Sequence, residues 1–304
     1  MTNKWTAADI PDQSGKTIII TGANCGLGLA SAKRLTEKGA SVIMACRSEK
    51  RGRDAAQEVG RETGITPEMM LLDLSNLESV RSFAEAFRAE YKDLHVLLNN
   101  AGIMATPFNR TEDGFESQIG INHLGHFALT GLLLPVLLDT KDSRIVNVSS
   151  LAARSGMVRP ETFRGDEQQY SPWAAYNQSK LANLFFTLEL NRRLHGKDTI
   201  AIAAHPGGAA TNLGRNVKTS KAFQWFAKNI LLPLLPTANQ NARPQLYAST
   251  MPNVHGGHYY GPGGIGEIGG APTQVKLPGS IGTAEELEQL WIVSEELTGV
   301  RFDI

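Results

Sequence analysis

The sequence predicts an α/β fold, a mainly parallel seven-stranded sheet with helices on both faces. Three observations carry that expectation. From residue 16 onward, short apolar runs alternate with amphipathic stretches, the order that gives parallel strands joined by right-handed crossovers. Several runs are apolar at consecutive positions, as in strands covered on both faces. The first run ends in a glycine-rich turn that leads into a helical pattern.

The strand candidates are 17–21, 41–45, 69–72, 96–99, 144–149, 199–204 and a late 257–260. Between them lie helical patterns at 27–38, 51–63, 77–90, 111–138, 176–194 and 240–250. Two stretches interrupt the alternation. Residues 151–175 form a long connection before Tyr176, and residues 207–239 hold an apolar segment, 222–235, with Trp225 and Phe226. Connections of this length in a compact domain are usually lids or binding loops. The tail at 256–280 is rich in Gly and Pro and is expected to be irregular. With no repeat and no linker-like shift in composition, residues 1–304 read as one elaborated domain, with a substrate-loop insertion at about 207–239.

Composition narrows the function classes. A chain of 304 residues can bury a large core. Thirty basic residues balance thirty acidic ones, so no global field recruits nucleic acid or anionic lipid. Cys25 and Cys46 are the only cysteines and lack metal-ligand spacing, which fits a reducing compartment and no metal site. The first fifteen residues are polar, so no signal peptide and no membrane anchor is expected, and the location is read as cytoplasmic.

After the first strand comes Thr21-Gly22-Ala23-Asn24-Cys25-Gly26-Leu27-Gly28. Glycines at 22, 26 and 28 let backbone approach a ligand, and the helix N-terminus then faces a pyrophosphate. The spacing is Gly-x-x-x-Gly-x-Gly and not the commoner dinucleotide fingerprint. The second strand ends in Ala45-Cys46-Arg47 with no acid beside it. An acid there would accept a ribose hydroxyl, whereas an arginine accommodates a 2′-phosphate, so Arg47 favours NADP(H). Arg53 reads as the solvated face of the next helix, and Arg51 is left open.

Tyr176 and Lys180 stand four residues apart, neighbours on one helical face separated by roughly 6 Å of axial rise. A phenol titrates near ~10, so using it as a base near neutrality costs about 4 kcal/mol. A nearby cation lowers that cost, which suits the pair to moving a proton on and off an alcohol or carbonyl oxygen.

Together these residues resemble the short-chain dehydrogenase/reductase family. The motifs occur in the family's order from Thr21 to about Thr211: the glycine turn, Leu72-Asp73-Leu74, Asn99-Asn100-Ala101-Gly102, Asn122, Ser149-Ser150, Tyr176-x-x-x-Lys180 and Pro206-Gly207. The resemblance implies a Rossmann-type, doubly wound sheet and a catalytic tetrad. In that tetrad Tyr176 is the acid/base and Lys180 lowers its pKa and bonds the nicotinamide ribose. Ser150 holds the substrate oxygen, and Asn122 anchors a water that passes protons through Lys180. For the cofactor it implies contacts from Gly22, Asn24, Cys25, Gly26, Leu27 and Gly28. Asp73 and Leu74 would lie at the adenine, Asn100, Ala101 and Gly102 along the cofactor, and Pro206, Gly207 and Thr211 at the nicotinamide end. Ser150 competes with Ser149, since adjacent strand residues face opposite ways. Asp73 competes with a plain turn role, and Asn122 with helix packing. His123, His126 and His205 read as packing or surface residues.

The gap from Ser150 to Tyr176 is 26 residues (176 − 150), longer than is usual for the family. With the 123–127 and 179–183 segments, it makes the chain similar to the retinol-dehydrogenase-like and protochlorophyllide-reductase-like branch. The implied activity is NADP(H)-dependent interconversion of an alcohol and an apolar or aromatic aldehyde or ketone. Met104, Phe108, Phe163, Trp173, Phe223, Trp225 and Phe226 are the expected substrate-side residues. Alternatives are light-dependent C=C reduction of a tetrapyrrole and a non-catalytic NADP-binding regulator. Whether the chain forms a homodimer or homotetramer is open; members of the family commonly pair through the helices that carry Asn122 and Tyr176.

Overall fold

The computed structural model describes residues 5–208 and 237–304. Among these, eight strands form one sheet: β1 Thr17–Thr21, β2 Ser41–Cys46, β3 Glu68–Leu71, β4 Val96–Asn99, β5 Arg144–Val148, β6 Ile200–Ala204, β7 Tyr259–Pro262 and β8 Pro272–Gln274. Their order is β3-β2-β1-β4-β5-β6-β7-β8. Every pairing is parallel except the last, where β8 runs antiparallel to β7. The seven expected strands are present, and the eighth corrects the count. It lies in the tail read as irregular, where three residues starting at a proline carry no pattern of their own. Its pairing with β7, Tyr260 opposite Gln274, makes it a strand.

The apolar runs work as double-sided strands. Ile18 and Ile20 of β1 enter one core cluster, together with Leu35 and Val59 from the helices α1 (Gly26–Glu37) and α2 (Glu49–Thr63). Ile19 enters the opposite cluster, with Phe83 and Phe87 from α3 (Leu77–Glu90) and with Phe127 and Phe186 from two longer helices. Chain order reverses between β1 and β4, which opens a crevice at the carboxyl ends of those strands, where ligands bind in sheets of this type.

Three helices depart from expectation, each for a local reason. The pattern at 111–138 becomes a helix only from Ser117 to Asp139. Before it, Gly114 adopts φ +81°, and the Glu116 side chain caps the new helix by accepting from the N–H groups of Gln118 and Ile119, both at 2.9 Å. By length and composition this helix could cross a membrane, and it is mostly buried here. The tyrosine helix begins earlier than expected and runs Pro172–Arg193, with proline in its first turn, where the missing N–H costs nothing. It is buried on nearly every side, from Tyr176 through Leu190, so it is not amphipathic.

The third departure is an unexpected C-terminal helix, Ala284–Thr298, opened by a Thr283/Glu286 capping box and closed by Gly299 at φ +64°. It packs its apolar face behind the Ser117–Asp139 and Pro172–Arg193 helices. Phe127, Phe186, Trp291 and Phe302 form a ring cluster with centroid spacings of 4.5 to 6.2 Å. Burying each such ring is worth roughly 1.5–3 kcal/mol.

Candidate active site

At the end of β1 the chain turns through Gly22, at φ +65°, and enters α1 at Gly26, at φ +57°. A methyl group on Gly28 would lie 2.4 Å from the Gly22 carbonyl oxygen, so only glycine lets the helix start pack under the turn. Thr21 locks this turn to the end of β4. Its hydroxyl accepts from the N–H groups of Asn100 and Ala101, both at 2.9 Å. With its acceptor capacity filled, it donates to His126 Nε2 at 2.9 Å. His126 therefore carries its proton on Nδ1, which donates to the Asn122 carbonyl at 3.0 Å. Burial pushes this imidazole down to about 4, so it stays neutral.

The crevice holds a cavity of about 340 Å³. Gly22, Asn24, Cys25, Gly26, Leu27, Arg47, Asp73, Leu74, Asn100, Ala101 and Gly102 all line it, as the sequence led us to expect. Gly28 does not line it and acts from below. Arg51 lines it as well, and with it Ser48 and Ile121, which sequence reasoning passed over. Arg53 instead bonds Glu49 at 2.7 Å on the outer face of α2. Asp73 lines the cavity and also makes a turn, its Oδ1 accepting from Ser75 N–H at 2.9 Å and Ser75 Oγ at 2.6 Å. The cavity fits a dinucleotide, with a backbone cradle bare of side chains at one end and two arginines along one wall.

Asn122, Ser150, Tyr176 and Lys180 do not line this cavity; Asn122 Oδ1 and Lys180 Nζ approach it at Gly102. Tyr176 is 6% exposed and Lys180 4%. Burial pushes the Tyr176 phenol up, and a hydrogen bond from Ser150 works against that rise. The expected lowering by Lys180 does not dominate. Its ammonium sits 6.0 Å from the phenol ring centroid, and burial is the larger influence, so the phenol remains protonated and ready to donate. Burial pushes the Lys180 ammonium down to about 8. Nζ donates to the Val148 carbonyl at 3.0 Å, which Asn183 Nδ2 also reaches at 3.2 Å.

Ser149 and Ser150 separate as the strand geometry requires. Ser149 is buried and donates to the Lys180 carbonyl at 2.7 Å, fixing the helix to β5. Ser150 turns to Tyr176 and also accepts from Ala152 N–H at 3.2 Å. Asn122 lies in a π-helical turn, Gly120–Leu124, a distortion frequent at functional sites. Its Oδ1 accepts from Ile103 N–H at 2.9 Å, and its Nδ2 donates to Ile103 O at 3.0 Å and Ser179 Oγ at 2.9 Å. A Cβ on Gly102 would stand 3.1 Å from Asn122 Oδ1 and 3.3 Å from Lys180 Nζ. Both polar atoms thus pack closely against the bare Gly102 backbone at the edge of the cavity.

Pro206 and Gly207 follow β6, and Gly207 has φ +79°. Gly207 is tucked beneath the 265–268 turn of the C-terminal hairpin, where a Cβ would meet the carbonyls of Glu267 and Ile268, both at 2.6 Å. His205 is not simple packing, because its Nε2 bonds Glu267 at 2.9 Å. No local signal marks that pairing, since the partners are 62 residues apart. Of the expected substrate-side residues, Trp173 is half exposed and stands edge-on to Tyr176 at 6.2 Å. Phe163 is buried in the core, and Phe108 packs against Tyr170 at 5.3 Å. Met104 is half-buried. Thr211, Phe223, Trp225, Phe226 and the 222–235 segment lie outside the described residues.

A phenol with a serine donor, a buried ammonium behind it and a dinucleotide-shaped cavity beside it can deliver a proton to an oxygen held at the cavity's edge. Comparison with known proteins agrees. The short chain dehydrogenase family model matches residues 16–222. Retinol dehydrogenase 11 of Homo sapiens is 43% identical over 236 residues, spanning 77% of this chain and 73% of its own. Retinol dehydrogenase 12 of Homo sapiens is 39% identical over 292 residues, spanning 95% and 88%. The crystal structure of an uncharacterized protein from Mycobacterium paratuberculosis superposes with TM-score 0.82 at 42% identity, covering 99% of this chain and all of that one. A short chain dehydrogenase from Shigella flexneri, solved complexed with NADP, superposes with TM-score 0.62 at 25% identity, covering 79% and 93%. The chain belongs to the short chain dehydrogenase family, oxidoreductases that act on small molecules with a nicotinamide cofactor.

Proposed function

We propose that this protein is an NADP(H)-dependent oxidoreductase that interconverts an apolar or aromatic aldehyde or ketone with its alcohol. The observation that carries the reading is the buried Tyr176 phenol with Ser150 and the Lys180 ammonium beside it, Lys180 Nζ reaching the Gly102 end of the dinucleotide cavity. When bound, the nicotinamide supplies or accepts the hydride. Ser150 and Tyr176 both donate to the substrate oxygen, and Tyr176 gives that oxygen its proton. Two such donors on a developing alkoxide could each lower the barrier by ~3 kcal/mol. Lys180 offsets the charge left on the phenol and, with its ammonium beside the phenol ring, is placed to return the proton.

Preference for the 2′-phosphorylated cofactor rests on Arg47 and Arg51 on the cavity wall, with no acid at the end of β2. The apolar character of the substrate is supported by Trp173 beside Tyr176 and by the retinol dehydrogenase names of the similar proteins. The test is an NADPH-consumption screen over aliphatic, aromatic and terpenoid aldehydes and ketones, including retinal. Turnover with NADPH at least about tenfold better than with NADH, ~1.4 kcal/mol, is expected; equal use of both cofactors would defeat the arginine argument.

A further inference from the structure

The two strand ends that flank the reacting centre are tied together by one carboxylate outside every motif used so far. Glu267 stands in the turn between β7 and β8. Its Oε2 accepts from His205 Nε2 at 2.9 Å, and its Oε1 accepts from Arg154 Nη2 at 2.6 Å. His205 follows β6 directly and precedes Pro206-Gly207. Arg154 belongs to the 3-10 turn Leu151–Ser155 that Ser150 itself caps.

The imidazole is fixed on both sides. His205 Nδ1 accepts from Gly207 N–H at 3.1 Å, so the ring proton is on Nε2 and points at Glu267. The ring lies in a slot that exists only because residue 261 is glycine, where a Cβ would fall 2.0 Å from Nε2. Its other neighbour is Tyr259, with centroids 5.0 Å apart, and the Tyr259 hydroxyl donates to the Ser150 carbonyl at 3.4 Å. A closed circuit results: Ser150, Arg154, Glu267, His205, Tyr259 and back to Ser150.

The backbone of Glu267 supplies an independent observation. Its φ is +58°, a conformation that a side chain opposes and glycine adopts freely. Glycine stands at 263, 264, 266, 269 and 270 around it, yet the strained position holds glutamate. Strain of this kind persists where a side chain is needed.

We propose that Glu267 is a positioning residue that sets the separation between the Ser150 turn and the Pro206–Gly207 turn, and with it the alignment of the substrate oxygen against the nicotinamide. This rests on the reading of the site as a carbonyl/alcohol oxidoreductase. The role is alignment, so cofactor affinity, set largely at the glycine turn, is spared when the clamp is cut.

The test uses the full-length protein and the variants Glu267→Gly, Glu267→Gln and Arg154→Met. Glu267→Gly relieves the backbone while removing the carboxylate. It is expected to lower kcat at least tenfold, to leave the NADPH Kd within threefold and the melting temperature no lower, and to enlarge the isotope effect with C4-deuterated NADPH. Glu267→Gln keeps an acceptor for His205 but loses the charge facing Arg154, so it and Arg154→Met should fall between Gly and parent. Proton and ¹⁵N spectra should show the His205 Nε2–H far downfield and protected in the parent, bonded to Glu267, and shifted upfield and exchanging with water in Glu267→Gly, with Nδ1 still held by Gly207 N–H. Parent-like kcat in Glu267→Gly overturns the proposal. So does a loss of activity that only tracks a lower melting temperature. A parent inert toward every carbonyl in the screen would defeat the functional reading alone, and the His205 spectra would still decide the clamp.

Discussion

The glycine turn and the Tyr176 centre share one crevice, yet they are held by opposite means. The turn is backbone chemistry. Thr21, Asn100 and Ala101 are stitched through N–H groups, glycines leave the space bare, and the charged groups nearby, Arg47 and Arg51, stay in water. The reacting centre buries its charge: Lys180 is held among β5 and the Asn122 turn with a single carbonyl to bond. One half is cheap to fold and tolerant of its surroundings. The other half is expensive, because an ammonium taken out of water costs several kcal/mol unless its charge is used. The comparison teaches that affinity and turnover are separable in this molecule and should break independently.

The sharpest break is Tyr176→Phe. Removing the hydroxyl takes away the proton donor while the ring keeps its packing, so turnover should fall about 10²–10⁴-fold, with NADPH Kd by fluorescence within threefold of the parent. Loss of cofactor binding in place of turnover would contradict the separation. On the other half, Arg47→Asp should erase a preference of about tenfold or reverse it, through KM for NADPH, with kcat for NADH unchanged. A fall in kcat with both cofactors would mean that the arginine acts at a distance on the reacting centre.

The last break is the most diagnostic. Lys180→Met should abolish turnover yet make the cofactor-free protein about 1–3 kcal/mol more stable at pH 7, because it removes a buried charge and leaves the Val148 carbonyl bonded to Asn183. Burial holds the folded lysine near 8, below its ordinary 10.5. Below pH 8 both folded and unfolded chains carry the proton, and the folded one bears the desolvation. Between pH 8 and 10.5 the unfolded chain binds more protons, so the parent gains stability as pH rises through that window. The advantage of the variant, read from denaturant midpoints, should shrink between pH 7 and pH 10. A constant difference would show that the folded lysine keeps its ordinary titration range and is not depressed by burial.

The same contrast explains what the sequence reveals. The glycine turn, Arg47, Asn100 and the Tyr176/Lys180 pair are legible because each motif lies within a few residues and the sheet brings strand ends together by rule. Asp73 is legible as both turn and wall residue. The strand β8 is not, since its three residues owe their conformation to Tyr260 and Gly261 across the ladder. The C-terminal helix could have been read from Thr283, Glu286 and Gly299, which mark its ends. Glu267 could not, because its partners are 62 and 113 residues away and its backbone conformation contradicts its residue type. Phe163 is aromatic for the core, and composition alone does not separate that from a substrate wall.

The C-terminal helix also has a consequence for synthesis. The ring surface of Phe127 and Phe186, on the back of the two helices that carry Asn122 and Tyr176, is covered by Trp291 and Phe302. On a ribosome the upstream sheet can assemble while that surface stays uncovered until the final residues leave the tunnel. A nascent chain stopped short of residue 291 therefore presents a sticky aromatic flank, and that flank is where a holding chaperone would grip it.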